Sequence, residues 1–378
     1  MKNNRLKVGF IGGGLDSAIG RAHFAAINID RQYSLDAGMF SIDNAINSES
    51  GDFYGVDSAR TYQDISSFLE AEGKKLDAVI VLSPTPLHFE HINQAFDAGL
   101  PVISEKSLCA QSKDAIALAQ RVANERQFLS VTFTYTGYPI VREIRRMIAQ
   151  GELGELLACH VEMPQESFIR ANSEGGKPNP QKWRQLDYEI PSVTLDLGSH
   201  VINLIEFITS NLVRKISAIT KHSGEVAQLI DNVMAIGELQ SGTPISLNWN
   251  KVSLGKRNGL ALSIYGSLGA LSWEQENPEY LRFTGKDGAT QILDRSHPRM
   301  KTAAEPRYQR FKVGHPAGYI EAFANLYHDI AIDLTDFKLG EKRNNPFTHD
   351  AENSAHGLKV LEALHESATS QRWIEITH

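Results

Sequence analysis

Through the first 133 residues, compact apolar runs alternate with stretches in which apolar positions recur at helical spacing. The runs cover 6–11, 34–40, 76–82, 102–104 and 128–133, most of them rich in Val, Ile, Leu and Phe. Short apolar runs of this kind predict strands buried on both faces. Helices are predicted from 21, over 88–98 and over 111–126, with Gly99 placed to cap the second. Pro84 and Pro86 impose an extended exit from the third strand before the helix at His88. Strands alternating with helices imply an α/β fold with a parallel, doubly wound sheet.

Beyond 133 the pattern changes. An amphipathic helix over 138–148, with Pro139 early in it, leads through Gly151 and Gly154 into a strand at 156–162. Apolar and polar residues then alternate over 215–220, 233–239, 245–250, 261–265 and 270–273, which predicts a mostly antiparallel sheet. A last helix over 351–369 buries Leu358, Val360, Leu361 and Leu364. The segment 168–189, rich in Asn, Gly, Pro, Lys and Arg, is too long for an ordinary connection and reads as a functional loop or a mobile one.

With 378 residues the chain has room for two domains, read as 1–133 and 134–378. A net charge of −7 argues against nucleic acid as the main partner. Cys109 and Cys159 lie in no metal-ligand spacing and are expected to be packed thiols, so no metal is called. With no signal-like or membrane-spanning apolar run, the chain reads as cytoplasmic and independent of membranes.

Three stretches carry candidate chemistry. At the first strand–helix junction stands Gly12-Gly13-Gly14-Leu15-Asp16-Ser17-Ala18-Ile19-Gly20. Gly12 and Gly14 match the first two glycines of a dinucleotide-binding turn, and Gly20 is expected where helix and strand pack closest, after a lengthened loop. After the second strand, Asp43 can serve the adenosine ribose or Ser41 can take a phosphate, with a lean to NAD over NADP. The fourth strand ends in Glu105-Lys106, where open α/β sheets place ligands, although a solvated pair would look the same. Asp196 and His200 are four apart and share a helix face. They read as a catalytic pair or as a cap plus a buried histidine, with Gly198 letting the helix approach a cofactor. Trp183-Arg184 in the long loop suits a sugar ring, or anchors a surface loop.

The early glycine loop with its downstream His23, then Ser83-Pro84-Thr85-Pro86-Leu87-His88, then Ala98-Gly99, then Glu105-Lys106, resembles the Gfo/Idh/MocA oxidoreductases, relatives of glucose–fructose oxidoreductase and inositol dehydrogenase. Asp196-Leu197-Gly198-Ser199-His200 is similar to that family's Asp-x-Gly-x-His motif, while Ser107 stands where the family has the proline of Glu-Lys-Pro. The resemblance implies an α+β second domain with a large open sheet that binds substrate and forms a homo-oligomer, a dimer or tetramer. It implies an NAD(P) site that includes Gly12, Gly14, Leu15, Gly20, Ser41, Asp43, Ser83, Pro84, Thr85, His88, Glu105 and Lys106. The expected reaction is reversible oxidation of a secondary hydroxyl on a cyclic sugar or polyol. Lys106 would hold the oxygen, His200 act as base and Asp196 orient it, with Tyr135, Trp183 and Arg184 as further substrate contacts. An NAD-dependent glycosidase using transient oxidation fits the same residues, with Arg170, Lys177, Lys182 and Arg184 available to an anionic sugar. A non-catalytic sensor would be expected to lack Lys106 or the Asp196/His200 pair.

Overall fold

A computed structural model describes residues 5–226 and 228–377. The chain forms two compact units, one made of the residues up to Gly137 with Tyr319–Ala355, the other of Tyr138–Gly318 with the residues from His356 on. The strands of the first are β1 (Leu6–Gly12), β2 (Tyr33–Met39), β3 (Ala78–Leu82), β4 (Val102–Glu105) and β5 (Leu129–Thr132). They pair in parallel in the order β2-β1-β3-β4-β5. Every residue of β3, β4 and β5 is buried, as strands covered on both faces require. The predicted strands are all present.

Five helices connect them: α1 (Gly20–Ile29), α2 (Asn44–Tyr54), α3 (Ile65–Glu72), α4 (His88–Asp97) and α5 (Ser112–Glu125). The apolar pattern does not announce α2, whose sequence NAINSESGDFY is mostly polar. Asp43 starts it, its Oδ1 accepting from the N–H groups of Ala45 (2.9 Å) and Ile46 (3.1 Å), and Gly55 stops it at φ +71°. Between β3 and α4 the two prolines give an extended Pro84 and then one 3-10 turn, Thr85–Leu87.

The second unit contains α6 (Pro139–Ala149), β6 (Leu156–Pro164), α7 (Ser199–Thr209) and the strands β7 (Val213–Lys221), β8 (Asn232–Leu239), β9 (Pro244–Asn250), β10 (Ala261–Gly266), β11 (Gly269–Glu274), β12 (Leu281–Gly285) and β13 (Thr290–Leu293). After it come α8 (Tyr319–Lys338), α9 (Ala351–Ser370) and β14 (Ile374–Glu375). The nine-stranded sheet runs β13-β12-β11-β10-β6-β9-β8-β7-β14 and is antiparallel throughout except where β6 meets β9. Val233 and Ala235 point into the core, whereas Met234 and Ile236 face out and are more than half exposed.

The boundary differs from the one expected. Helix α8, read from the sequence as part of the second domain, belongs to the first unit. Its Phe323, Leu326, Tyr327, Ile330 and Leu334 enter the same core as Val8, Phe10, Tyr33 and Ile103. A glycine makes this possible, since a Cβ on Gly137 would lie 1.9 Å from the Ala322 carbonyl oxygen. The main chain at His349 then covers the open edge of the sheet, accepting a hydrogen bond from Val131 N–H at 2.8 Å. Among the described residues no helix is long and apolar enough to cross a membrane.

Candidate active site

The glycine loop is built for close approach. Gly12 and Gly13 have φ of +86° and +77°, where a side chain is strained, and a Cβ on Gly12 would lie 2.7 Å from the Ser83 nitrogen. A Cβ on Gly20 would lie 1.9 Å from the Gly13 carbonyl oxygen, so the start of α1 packs directly against the glycine turn. The loop is tied down by Gly14 N–H on Phe40 O (3.0 Å), Leu15 N–H on the Ser50 hydroxyl (3.0 Å) and the Tyr54 hydroxyl on Gly13 O (2.8 Å). Ile19, at the cap position of α1, brings no capping side chain. A turn free of Cβ atoms, leading into a helix that no side chain caps, fits the pyrophosphate of a dinucleotide.

Beyond β2, the Asp43 carboxylate is the cap of α2, and the Ser41 hydroxyl accepts from Asp43 N–H at 3.2 Å. Beyond β3, both ring nitrogens of His88 face main-chain carbonyls, Nε2 at 2.7 Å from Ser83 O and Nδ1 at 2.9 Å from Ser107 O. His88 thus ties the exit of β3 to the exit of β4. Burial pushes its imidazole below the usual histidine range, while the two carbonyls pull the other way. Ser83 also meets His91 Nδ1 through its hydroxyl at 2.9 Å. Thr85 is buried and Pro84 exposed. At the end of β4, Glu105 is 7% exposed, and its Oε1 accepts from Lys106 N–H at 2.7 Å and from the Thr132 hydroxyl at 3.3 Å. The peptide bond between Lys106 and Ser107 is cis. Tyr135 lies buried in a turn after β5, its ring 6.3 Å from that of Tyr319.

In the second unit, residues Thr194–Gly198 form a single π-helical turn that runs straight into α7. Asp196 and His200 are nearly buried, at 8% and 9% exposure. The Asp196 carboxylate is gripped by two cations. Arg184 binds it through Nε (3.1 Å to Oδ2) and Nη2 (3.2 Å to Oδ1), and Lys251 Nζ lies 2.6 Å from Oδ2. Arg184 also lies over the Trp183 ring, 4.4 Å from its centroid. Arg184, singled out with Trp183 for a sugar, is therefore engaged with Asp196 and covers one face of the indole. Gly198 permits a close approach to two side chains of its own unit. A Cβ there would lie 2.8 Å from the Trp249 indole and 3.1 Å from Leu361.

Lys251 escapes the reading of motifs. It is 4% exposed, follows β9 directly and packs over Phe168 at 5.1 Å. The signal was present, because Lys251 directly follows a strand, as Lys106 does. Of the loop cations, Arg170 is paired with Glu166 at 3.0 Å. Both cysteines are buried, and burial pushes the Cys159 thiol up to about 12 and the Cys109 thiol further, as suits packed thiols.

Residues 6–133 match the family model described as an oxidoreductase family with an NAD-binding Rossmann fold, and residues 141–272 match the GFO/IDH/MocA C-terminal domain. The chain belongs to the GFO/IDH/MocA oxidoreductases. An uncharacterized oxidoreductase YfiI of Bacillus subtilis is 28% identical over 98% of this chain and 96% of its own. Glucose-6-phosphate 3-dehydrogenase of the same organism is 25% identical over 72% of this chain and 75% of its own. Among solved structures, an inositol dehydrogenase homolog of Azotobacter vinelandii, complexed with NADH and myo-inositol, superposes with a TM-score of 0.87. It shares 27% identity over 98% of this chain and 97% of that one.

Membership puts weight on two of the buried carboxylates of this GFO/IDH/MocA chain, Glu105 and Asp196, since each opens a motif of the sequence and each is held by partners within its own unit. Lys251→Met removes one of the two cations that grip Asp196. In a double-mutant cycle with Asp196→Asn, followed by urea unfolding, the coupling is expected at about 1–3 kcal/mol, and additivity would show that the contact contributes nothing.

His88 gives a pH signature. Its folded-state pKa lies below the ordinary 6.5, so the unfolded chain binds the extra proton. Its contribution is complete above pH 6.5 and is lost as pH falls from there toward the folded value. Thermal unfolding of His88→Gln is therefore expected to lose less stability than the parent on acidification through this window.

Proposed function

We propose that the protein is a dehydrogenase acting on a secondary hydroxyl of a cyclic sugar or polyol, with NAD as the oxidant. The observation that carries this reading is Lys106 just after β4, its main chain held by a buried carboxylate, in a parallel sheet whose first strand ends in a glycine turn shaped for a dinucleotide. Family membership and the names of the relatives support it. When bound, the nicotinamide supplies the site that accepts or returns a hydride.

The roles of the side chains follow from their chemistry. Lys106 donates to the substrate oxygen and stabilises the alkoxide that builds up as the C–H bond breaks. His200 takes the hydroxyl proton, being the side chain that titrates near neutral pH. Asp196, fixed by Arg184 and Lys251, orients His200 or holds a neighbouring hydroxyl. Trp183 and Tyr135 are further substrate contacts. Gly12, Gly14, Leu15 and Gly20 hold the pyrophosphate, Ser41 and Asp43 the adenosine ribose, and Ser83, Pro84, Thr85, His88 and Glu105 frame the nicotinamide end. Asp43, an acid after β2 with no arginine beside it in sequence, supports NAD over NADP.

The test is a purified-protein screen of sugars, polyols and glycosides with NAD and with NADP, following reduced nicotinamide and released aglycone together. Net NADH from a cyclic sugar or polyol is the expected result, and aglycone release without net reduction would replace this reading with a redox-neutral glycosidase. Lys106→Ala and His200→Ala are each expected to lower turnover about a hundredfold or more with cofactor affinity largely kept. Near-normal turnover in either removes that residue from the mechanism.

The exposed sheet face supports self-association. Ile219, Met234 and Ile236, at 64%, 56% and 55% exposure, lie on neighbouring strands β7 and β8. A dimer or tetramer through this face is expected by light scattering, with Met234→Lys/Ile236→Glu shifting it to monomer. A monomeric parent protein would end that proposal.

A further inference from the structure

We infer that His23 and Tyr327 are positioning residues for Lys106, joined to it by a buried hydrogen-bond chain that runs from α8 through α1 to Glu105. The inference rests on the reading of Lys106 as the group that holds the substrate oxygen.

His23 stands in α1, three residues after Gly20, and is fully buried. Its Nε2 lies 3.2 Å from Glu105 Oε2, and its Nδ1 lies 2.5 Å from the Tyr327 hydroxyl. One arrangement of hydrogens satisfies every member. The Tyr327 hydroxyl donates to Nδ1, Nε2–H donates to Glu105 Oε2, and Oε1 accepts from Lys106 N–H and the Thr132 hydroxyl. Burial and the charge on Glu105 push the Tyr327 hydroxyl well above its ordinary range, which keeps it a donor. The Tyr33 hydroxyl, buried beside it, donates to the Tyr327 carbonyl at 2.8 Å and fixes that turn of α8. The edge-on Phe323 ring, 4.5 Å from the imidazole, closes the remaining side.

Nothing in the packing of α1 on α8 requires a polar chain. The apolar cluster around it is made of Ala, Val, Ile, Leu, Phe and Tyr side chains, and desolvating an imidazole and a carboxylate costs stability that an apolar pair would not. What the chain does accomplish is to fix both oxygens of Glu105, one on His23 and the other on the main-chain N–H of Lys106. Through that bond, α8 sets the point from which the lysine side chain departs.

The test compares the parent with Tyr327→Phe and His23→Gln. The direct readout is hydrogen exchange at the Lys106 amide, resolved to the residue by mass spectrometry. It needs no substrate. Exchange is expected to speed up about tenfold or more in both variants, with the amides of β1 unchanged. On the substrate found by the screen, kcat is expected to fall about tenfold or more while KM and the NADH dissociation constant stay within about twofold. Unchanged exchange at Lys106 in a folded variant overturns the inference, and His23→Gln decides it should Tyr327→Phe fail to fold. Faster exchange with unaltered kcat, where Lys106→Ala abolishes turnover, also overturns it while leaving the proposed function standing. A parent protein without turnover on any sugar removes the proposed function instead.

Discussion

A carboxylate taken out of water must be fully hydrogen-bonded or paired, or it will not stay ionised and the fold will not stay closed around it. Each unit of this protein buries such a group at a candidate site residue. Glu105 ends the fourth strand of the parallel sheet, and its oxygens are taken by the next residue's N–H, by Thr132 and by His23. Asp196 lies in a π-helical turn and is taken by Arg184 and Lys251. In each case at least one partner is far away in sequence, His23 at 82 residues from Glu105 and Lys251 at 55 from Asp196. The acid therefore acts as a clasp that brings loop, strand and helix into register at the place where the chemistry is proposed.

Close packing supplies the second constraint. At Gly12, Gly20, Gly137 and Gly198 even a methyl group would meet another atom at 2.8 Å or less. Two of these positions shape the nucleotide turn. The other two let α8 reach Gly137 and let the π-helical turn lie against Trp249. A single added carbon at any of them has to push main chain or an indole aside, which interiors at crystal-like density resist. The glycines thus translate a sequence signal into distances, and the buried acids hold those distances.

Two consequences bear on function. Arg184 grips Asp196, so the long loop 168–189 is coupled to the catalytic candidate through an ion pair. Lys251 gives that aspartate a second cation, which places positive charge beside the residue proposed to orient the base. The same economy is seen at His88, whose ring is spent on two carbonyls and shapes the site by joining two strand exits.

Much of this was legible in the linear sequence. Short apolar runs separated by helical periodicity suffice for a parallel sheet, because strands buried on both faces have no polar side to show. The glycine turn, the charged end of β4 and the Asp196/His200 spacing were readable because each depends on residues close together along the chain. The sequence could not announce α2, whose stability comes from its Asp43 cap and Gly55 stop more than from an apolar stripe. Nor could it say which core receives α8, since an amphipathic pattern reveals that one side of a helix is buried but not against what. Asp43, Trp183, Arg184 and Gly198 were each noticed for a ligand, and folding gave each a partner within the protein. Only the tertiary structure could assign Lys251 to Asp196, 55 residues away, and Tyr327 to His23, 304 away. Local spacing determines which groups are offered, and the requirement that every buried polar group find a partner decides, across the whole fold, which of them meet.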